Sequence, residues 1–108
     1  MDLLTIPAAA EALDVPATQV HQYLRDGHLV GVRDENGLRC VPALLVQDRV
    51  IVKSLAAVIT QLRDARYSDA EIVEWLFRSD DSLPGSPIEA LRENRGTEVK
   101  RRAQVAGF

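Results

Sequence analysis

Cys40 is the one cysteine in a chain of 108 residues. That excludes an internal disulfide and, unaided, a thiolate metal site. Aromatic residues make up only 5%. Trp75 and Phe77 stand close together, but Trp75 follows Ile72 at helical spacing, so it reads as core and not as a base-stacking platform. No apolar run reaches the roughly 18 residues that a membrane helix needs. The opening residues MDLLTIPAAA carry an acid and no basic stretch, unlike a signal peptide. Gly27, Gly31 and Gly37 are scattered over turn and hairpin positions, so no glycine-rich phosphate loop is present. An excess of positive charge is missing too: the net charge is −3, which excludes a polycation that coats nucleic acid indiscriminately. What is there is a hydrophobic content of 46%, too high for disorder. The length fits one domain, or one small domain with a helical appendix, able to bury roughly two-thirds of its unfolded surface. A small, soluble, cytoplasmic protein with no membrane association is expected.

The distribution of charge says more than its sum. Residues 1–16 carry acids only, and residues 54–91 carry more acids than bases. Bases gather in two places. Arg25, Arg33, Arg39, Arg49 and Lys53 slightly outnumber the acids of residues 17–53, and Arg92, Arg95, Lys100, Arg101 and Arg102 outnumber those of 92–108. Any nucleic-acid surface must therefore be local.

Ile6 to Leu13 form a short helical pattern, with Thr5 placed to cap it and Pro7 suited to its first turn. Asp14-Val15-Pro16 breaks that helix, and a second runs from Ala17 to Asp26, closed by Gly27 in the position of a left-handed cap. Two short helices across a three-residue break make a helix-turn-helix pattern. The period then changes. Leu29 to Arg33 and Leu38 to Val41 are β-type runs around the turn Asp34-Glu35-Asn36-Gly37, a small hairpin ended by Pro42. Ala43 to Val46 read as one helical turn, Asp48-Arg49 as a connection, and Val50 to Val52 as a weak strand. Beyond Lys53 the pattern is helical. Leu55, Val58, Ile59 and Leu62 form one stripe. Ser68 and Glu71 have capping-box spacing before a helix through Phe77, Ser79 to Ser86 form a loop, and Ser86-Pro87 opens a further helix. Gly96 breaks that helix, and Thr97 caps a last one through Ala106.

Chemistry-bearing clusters are hard to find. Cys40 sits in a predicted strand, where a lone cysteine serves as a small buried hydrophobe. His21 and His28 do not fit the close ligand spacing of a zinc site, so no metal and no cofactor is expected. No nucleophile has a paired base, and the chain is read as non-enzymatic. The helix 17–26 is different. With Val20, Tyr23 and Leu24 inward, Thr18, Gln19, His21, Gln22 and Arg25 face outward, a set of hydrogen-bonding residues without a carboxylate. Gln pairs with adenine, Arg with guanine, and Thr with phosphate or a thymine methyl. Arg33 and Arg39 flank the hairpin turn like the arms of a wing, while Asp34 and Glu35 at its tip would repel phosphate. Arg49 and Lys53 are expected backbone contacts.

The stretch ATQVHQYLRDGHLVGVRDENGLRCVP resembles the winged helix-turn-helix of the excisionase and MerR type. A longer likeness runs through Arg25 to Val30, Val52 to Leu55, Tyr67 to Phe77 and Pro87 to Gln104, in order. It is similar to an actinobacterial family of winged-helix DNA-binding proteins known from mycobacteria. The resemblance implies a mainly α fold with a small antiparallel β hairpin: a winged helix-turn-helix over residues 1–52, with a helical C-terminal region, 53–108, packed on it. It implies double-stranded DNA as the partner, helix 17–26 in the major groove and hairpin 29–42 as the wing. The protein would be a transcriptional regulator or architectural factor, nucleoid-associated when bound. The resemblance also implies a Ser/Thr protein kinase as an input, through the longer N-terminal tail of the mycobacterial relative. Four residues precede Thr5 here, so no tail phosphosite carries over, and Thr5 reads first as a cap. A second, shorter likeness joins Gly85 to Leu91 and Glu98-Val99 to the C-terminal domain of antitoxins. It implies a protein partner bound through the C-terminal helices, although a common way of starting a helix explains the same residues. Lys100, Arg101 and Arg102 are consecutive and spread around their helix, so they cannot all touch one surface.

Overall fold

The structure, a computed structural model, describes residues 1–80 and 85–106. A three-residue strand, β1 (Leu3–Thr5), runs straight into the helix α1 (Ile6–Leu13). Thr5 makes that switch possible: its backbone is extended, and its Oγ1 accepts the Ala8 N–H at 3.2 Å. Pro7 fills the first turn, where a missing N–H costs nothing. The helix stops at Asp14, which takes a left-handed backbone (φ 56°) and donates its N–H back to the Ala10 and Glu11 carbonyls. Asp tolerates that conformation better than most residues, so the break begins there, one step before Val15-Pro16. The second helix, α2 (Ala17–Asp26), buries Val20 and Leu24. It ends on Gly27, φ 80°, whose N–H bonds to the Tyr23 carbonyl.

The wing is smaller than the sequence predicts. Strand β2 (Val32–Arg33) pairs antiparallel with β3 (Arg39–Pro42), placing Val32 opposite Cys40 and Arg33 opposite Arg39. Leu29 and Val30, expected in the ladder, are wholly buried in the core instead. Both His28 and Leu29 still donate to the Tyr23 carbonyl, so the chain is finishing α2 at that point. Leu38 belongs to the turn and is exposed. The far edge of β3 pairs with β1, Leu4 opposite Val41, giving a three-stranded sheet in the order β1-β3-β2.

A 3-10 turn at Ala43–Leu45 leads into a second hairpin, β4 (Val46–Gln47) with β5 (Val50–Ile51). Its turn residues, Asp48 and Arg49, both have positive φ, 53° and 67°, the geometry that joins two strands most tightly. Four helices follow: α3 (Leu55–Asp64), α4 (Asp69–Phe77), α5 (Pro87–Arg92) and α6 (Gly96–Val105). Ser68 with Glu71 and Ser86 with Glu89 form reciprocal capping boxes. The expected loop Ser79 to Ser86 falls partly on 81–84, outside the described residues. The last helix starts at Gly96, one residue before the expected Thr97 cap, with Arg95 in the cap position.

One continuous core joins the two regions. Ile6, Val20, Leu24 and Val41 belong to the same cluster as Leu55, Ile59, Leu62, Ile72, Leu76, Ile88 and Val99. Trp75, expected inside, is only half-buried and packs on the margin of that cluster. The buried stripe of α4 is Ile72, Val73 and Leu76, which turns Trp75 toward its flank. No helix among the described residues is long and apolar enough to cross a membrane.

Candidate nucleic-acid interface

The outer face of α2 follows from helical phase. With Val20 and Leu24 held inside, Thr18, His21, Gln22 and Arg25 all lie exposed. Their spacing is i, i+3, i+4 and i+7, so at about 100° per residue they form one stripe opposite the core. Gln19, expected with them, does not join the stripe. It is half-buried, one step round the helix toward Tyr23, itself half-buried. His28 follows the helix and meets the Tyr23 ring edge-on, with centroids 5.9 Å apart. The stripe thus presents one cation, one amide, one imidazole and one hydroxyl, with the nearest carboxylate, Asp26, on the flank.

The hairpin tip is built differently from what its acids suggest. Asp34 Oδ1 accepts two backbone N–H bonds, from Asn36 and Leu38, each 2.9 Å. The Gly37 N–H closes the turn onto the Asp34 carbonyl at 3.0 Å, and Gly37 takes φ 79°. Arg33 Nη1 donates to the Gly37 carbonyl at 2.9 Å, tying the arm to the tip. Asp34 is therefore a half-buried structural acceptor, and Glu35 is the exposed acid of the turn. Arg39, half-buried, stands across the ladder from Arg33. Arg49 is exposed at the tip of the second hairpin, and Lys53 is exposed in the turn before α3.

Charge pairing divides the molecule. The ion pairs of the described residues join Arg63 to Asp69, Arg78 to Glu74, Arg95 to Glu93, and Arg102 to both Asp80 and Glu98. All of these lie beyond residue 62. Among the described residues, Arg25, Arg33, Arg39, Arg49 and Lys53 have no carboxylate within ion-pair distance, although Asp26, Asp34, Glu35 and Asp48 share their part of the chain. Among the described residues the basic side chains of the first half are thus not neutralised by a carboxylate, while Arg33 also donates to the Gly37 carbonyl.

Support for this surface comes from a residue with no local signal in the sequence. Arg63 of α3 donates Nη2 to the Leu24 carbonyl of α2 and to Asp69 of α4, both at 3.2 Å. A Cβ at Gly27 would lie 3.0 Å from Arg63 Nη1, so a side chain there would press on the guanidinium as well as strain the φ of 80°. The end of α2 is therefore fixed by the C-terminal helices. Arg92 does the same for the second hairpin, donating Nη1 to the Leu44 and Val46 carbonyls at 2.8 and 3.0 Å.

Cys40 is buried in β3. Burial, followed by the charge of nearby Asp34, pushes its thiol pKa up, which keeps the nucleophilic thiolate scarce. Among the described residues no three His, Cys, Asp or Glu side chains come together as metal ligands do. Thr5 is exposed with its hydroxyl engaged at the cap of α1.

Comparison with known proteins accords with this geometry. Residues 1–46 match the family model described as "DNA-binding protein Rv2175c, wHTH domain". Residues 52–107 match "Rv2175c C-terminal domain of unknown function". The chain is similar to DNA-binding protein Rv2175c of Mycobacterium tuberculosis (strain ATCC 25618 / H37Rv), 39% identical over 115 aligned positions, which cover 95% of this chain and 79% of that protein. It also superposes on the NMR structure of Rv2175c with a TM-score of 0.89 and 37% identity, covering 99% of this chain and 82% of that one. The winged helix-turn-helix, the helices that brace it and the likeness along nearly the whole chain agree, and the protein belongs to the Rv2175c family.

Proposed function

We propose that this protein binds double-stranded DNA without catalysing a reaction, as a transcriptional regulator or architectural factor. Helix α2 enters the major groove in the manner of excisionase and MerR-type modules, with the β2–β3 hairpin as wing. The observation that carries this reading is the carboxylate-free stripe Thr18, His21, Gln22 and Arg25 on the face of α2 opposite the core. Gln22 and Arg25 have the side-chain chemistry that reads adenine and guanine edges, and Thr18 suits a phosphate or thymine methyl. Arg33, Arg39, Arg49 and Lys53 supply sequence-independent attraction by displacing counterions. Gln19, half-buried, is assigned to the flank of that stripe. The site of action is then the cytoplasm, on the nucleoid when bound.

Fluorescence anisotropy with random and genomic duplexes over a salt series tests this. Affinity should fall log-linearly with salt, and Arg33→Ala/Arg39→Ala should remove about two units of slope, since each phosphate contact contributes about 0.9, whereas Arg25→Ala should chiefly relax sequence preference. Absence of binding at the lowest salt would sink the DNA reading. It would turn attention to the C-terminal helices as an antitoxin-like protein-binding face, tested by capture of a partner that survives loss of Arg25.

A further inference from the structure

The C-terminal helices contain a second basic site. The turn before α3 and the start of α6 enclose a cavity of about 310 Å³, lined by Lys53, Ser54, Asn94, Gly96, Thr97 and Lys100 over a floor of Leu91. Two lysines, two hydroxyl-bearing residues and an asparagine line it, and no carboxylate-bearing residue does. Neither Lys53 nor Lys100 has an ion-pair partner among the described residues. The neighbouring bases of α6 are placed otherwise. Arg102 reaches Asp80 and Glu98 on the opposite flank, and Arg101 is exposed and lines a different groove. Lys100 alone of the three is turned toward Lys53.

The cavity exists because the chain is bent to make it. Gly96 lies so close to Ser54 that a Cβ there would sit 2.7 Å from Ser54 Oγ. Ser54 and Asn94, on either side, both hold left-handed backbones at φ 72° and 63°. This close approach brings Lys53, which belongs to the basic group of the first half, beside Lys100 of the last helix. One base from each of two stretches that are separate in sequence thereby lines the same recess.

We infer that the Lys53–Lys100 cavity takes a phosphate of the DNA backbone, so that the C-terminal region lengthens the protein's footprint on the duplex. The inference rests on the DNA-binding reading above and assigns the C-terminal helices a direct contact beyond their bracing of α2. A phosphate diester offers compact negative charge and bare acceptor oxygens, which two ammonium groups and two hydroxyls satisfy in a polar recess. Lys is suited to such a point-charge contact, where no bidentate fork is required.

The test uses the full chain and compares wild type, Lys53→Gln/Lys100→Gln, Lys53→Arg/Lys100→Arg and Arg101→Gln in duplex titrations from about 50 to about 200 mM salt. The glutamine pair should lower the salt slope by about one, the share of a single phosphate, so its affinity falls roughly three- to fourfold less than that of wild type over that range. The arginine pair should restore the slope, and Arg101→Gln should leave it at the wild-type value. In parallel, duplex should shift the amide signals of Ser54, Asn94 and Thr97 in wild type. If the glutamine pair keeps the wild-type slope, or loses no more than Arg101→Gln does, the inference is overturned. If inorganic phosphate shifts those amides while the duplex slope ignores the lysines, the cavity is a free-anion site and the inference is equally overturned. Failure of wild type to bind duplex at all would instead remove the DNA-binding reading, so the two failures are distinct.

Discussion

Replacing Arg63 by methionine separates bracing from contact. The guanidinium donates to the Leu24 carbonyl at the end of α2 and to Asp69, and the ion-pair partners are 30% and 40% exposed. A charged donor on a partly buried carbonyl contributes about 1.5 kcal/mol. An ion pair this exposed adds only about 0.5 kcal/mol. Methionine keeps most of the apolar stem, so the packing term is small. The expected loss is thus about 2 kcal/mol, which for a domain of this size lowers Tm by on the order of 10 °C. Calorimetry or circular dichroism reads that directly. Arg63 is proposed to hold the groove-facing helix and not to meet phosphate, so duplex affinity should fall several-fold while the salt slope keeps its wild-type value. Amide exchange at Gly27 and His28 should accelerate in the free protein. A Tm shift below about 3 °C would refute the energetic account. A slope reduced by about one would refute the bracing account, because it would make Arg63 a direct phosphate contact.

Gly96→Ala should cost about 1–3 kcal/mol through overpacking against Ser54. Ser54→Gly, which removes the facing atoms and relaxes a φ of 72°, should recover most of that loss in a double-mutant urea series, and simple additivity would show that the two positions do not meet. Asp34→Ala leaves the Asn36 and Leu38 N–H groups without their acceptor, so both amides should lose exchange protection. Asp34→Asn keeps the acceptor and removes the charge, leaving the hairpin tip ordered and duplex binding somewhat tighter. The Ser68 backbone N–H, then its hydroxyl, holds the Glu71 carboxyl pKa below the ordinary glutamate range. The folded state therefore binds fewer protons than the unfolded one in that window. The capping contribution is complete above the ordinary range and fades as pH falls through the lowered value. Glu71→Gln should flatten the acid limb of a Tm-against-pH curve, and an unchanged limb would contradict the assignment.

What was legible in the sequence was local chemistry. The caps at Thr5, Ser68 and Ser86, the glycine end of α2 and the turn at Asn36-Gly37 each depend on residues within four positions of one another, so spacing alone reveals them. The hidden parts depend on distant pairing. Nothing in Leu3-Leu4-Thr5 announces a strand, because its identity comes from β3 nearly forty residues on. Arg63 reaches 39 residues back to Leu24, and a helical arginine carries no mark of such a role. The Asp48-Arg49 turn lacks the glycine that usually signals its geometry. Periodicity separates the inner from the outer residues of α2 yet does not rank the outer ones, so it cannot tell Gln19 from the stripe it adjoins. Asp34 carries a charge that repels phosphate, but its spacing to Asn36 and Leu38 also describes the backbone acceptor it proves to be.

The second hairpin lies where the two family models leave a gap, between residues 46 and 52. It is a rivet, not a linker: β4 and β5 bond to each other, Val52 donates to the Leu45 carbonyl, and Arg92 pins the approach from α5. With the hydrophobic cluster running unbroken beneath it, the two regions share one opening equilibrium. A duplex at 100 times its dissociation constant would then slow global exchange of amides in α4 by about a hundredfold, the same factor as in α2, although α4 has no part in the proposed contact surface. The fourth helix is thereby a remote gauge of what the second one holds.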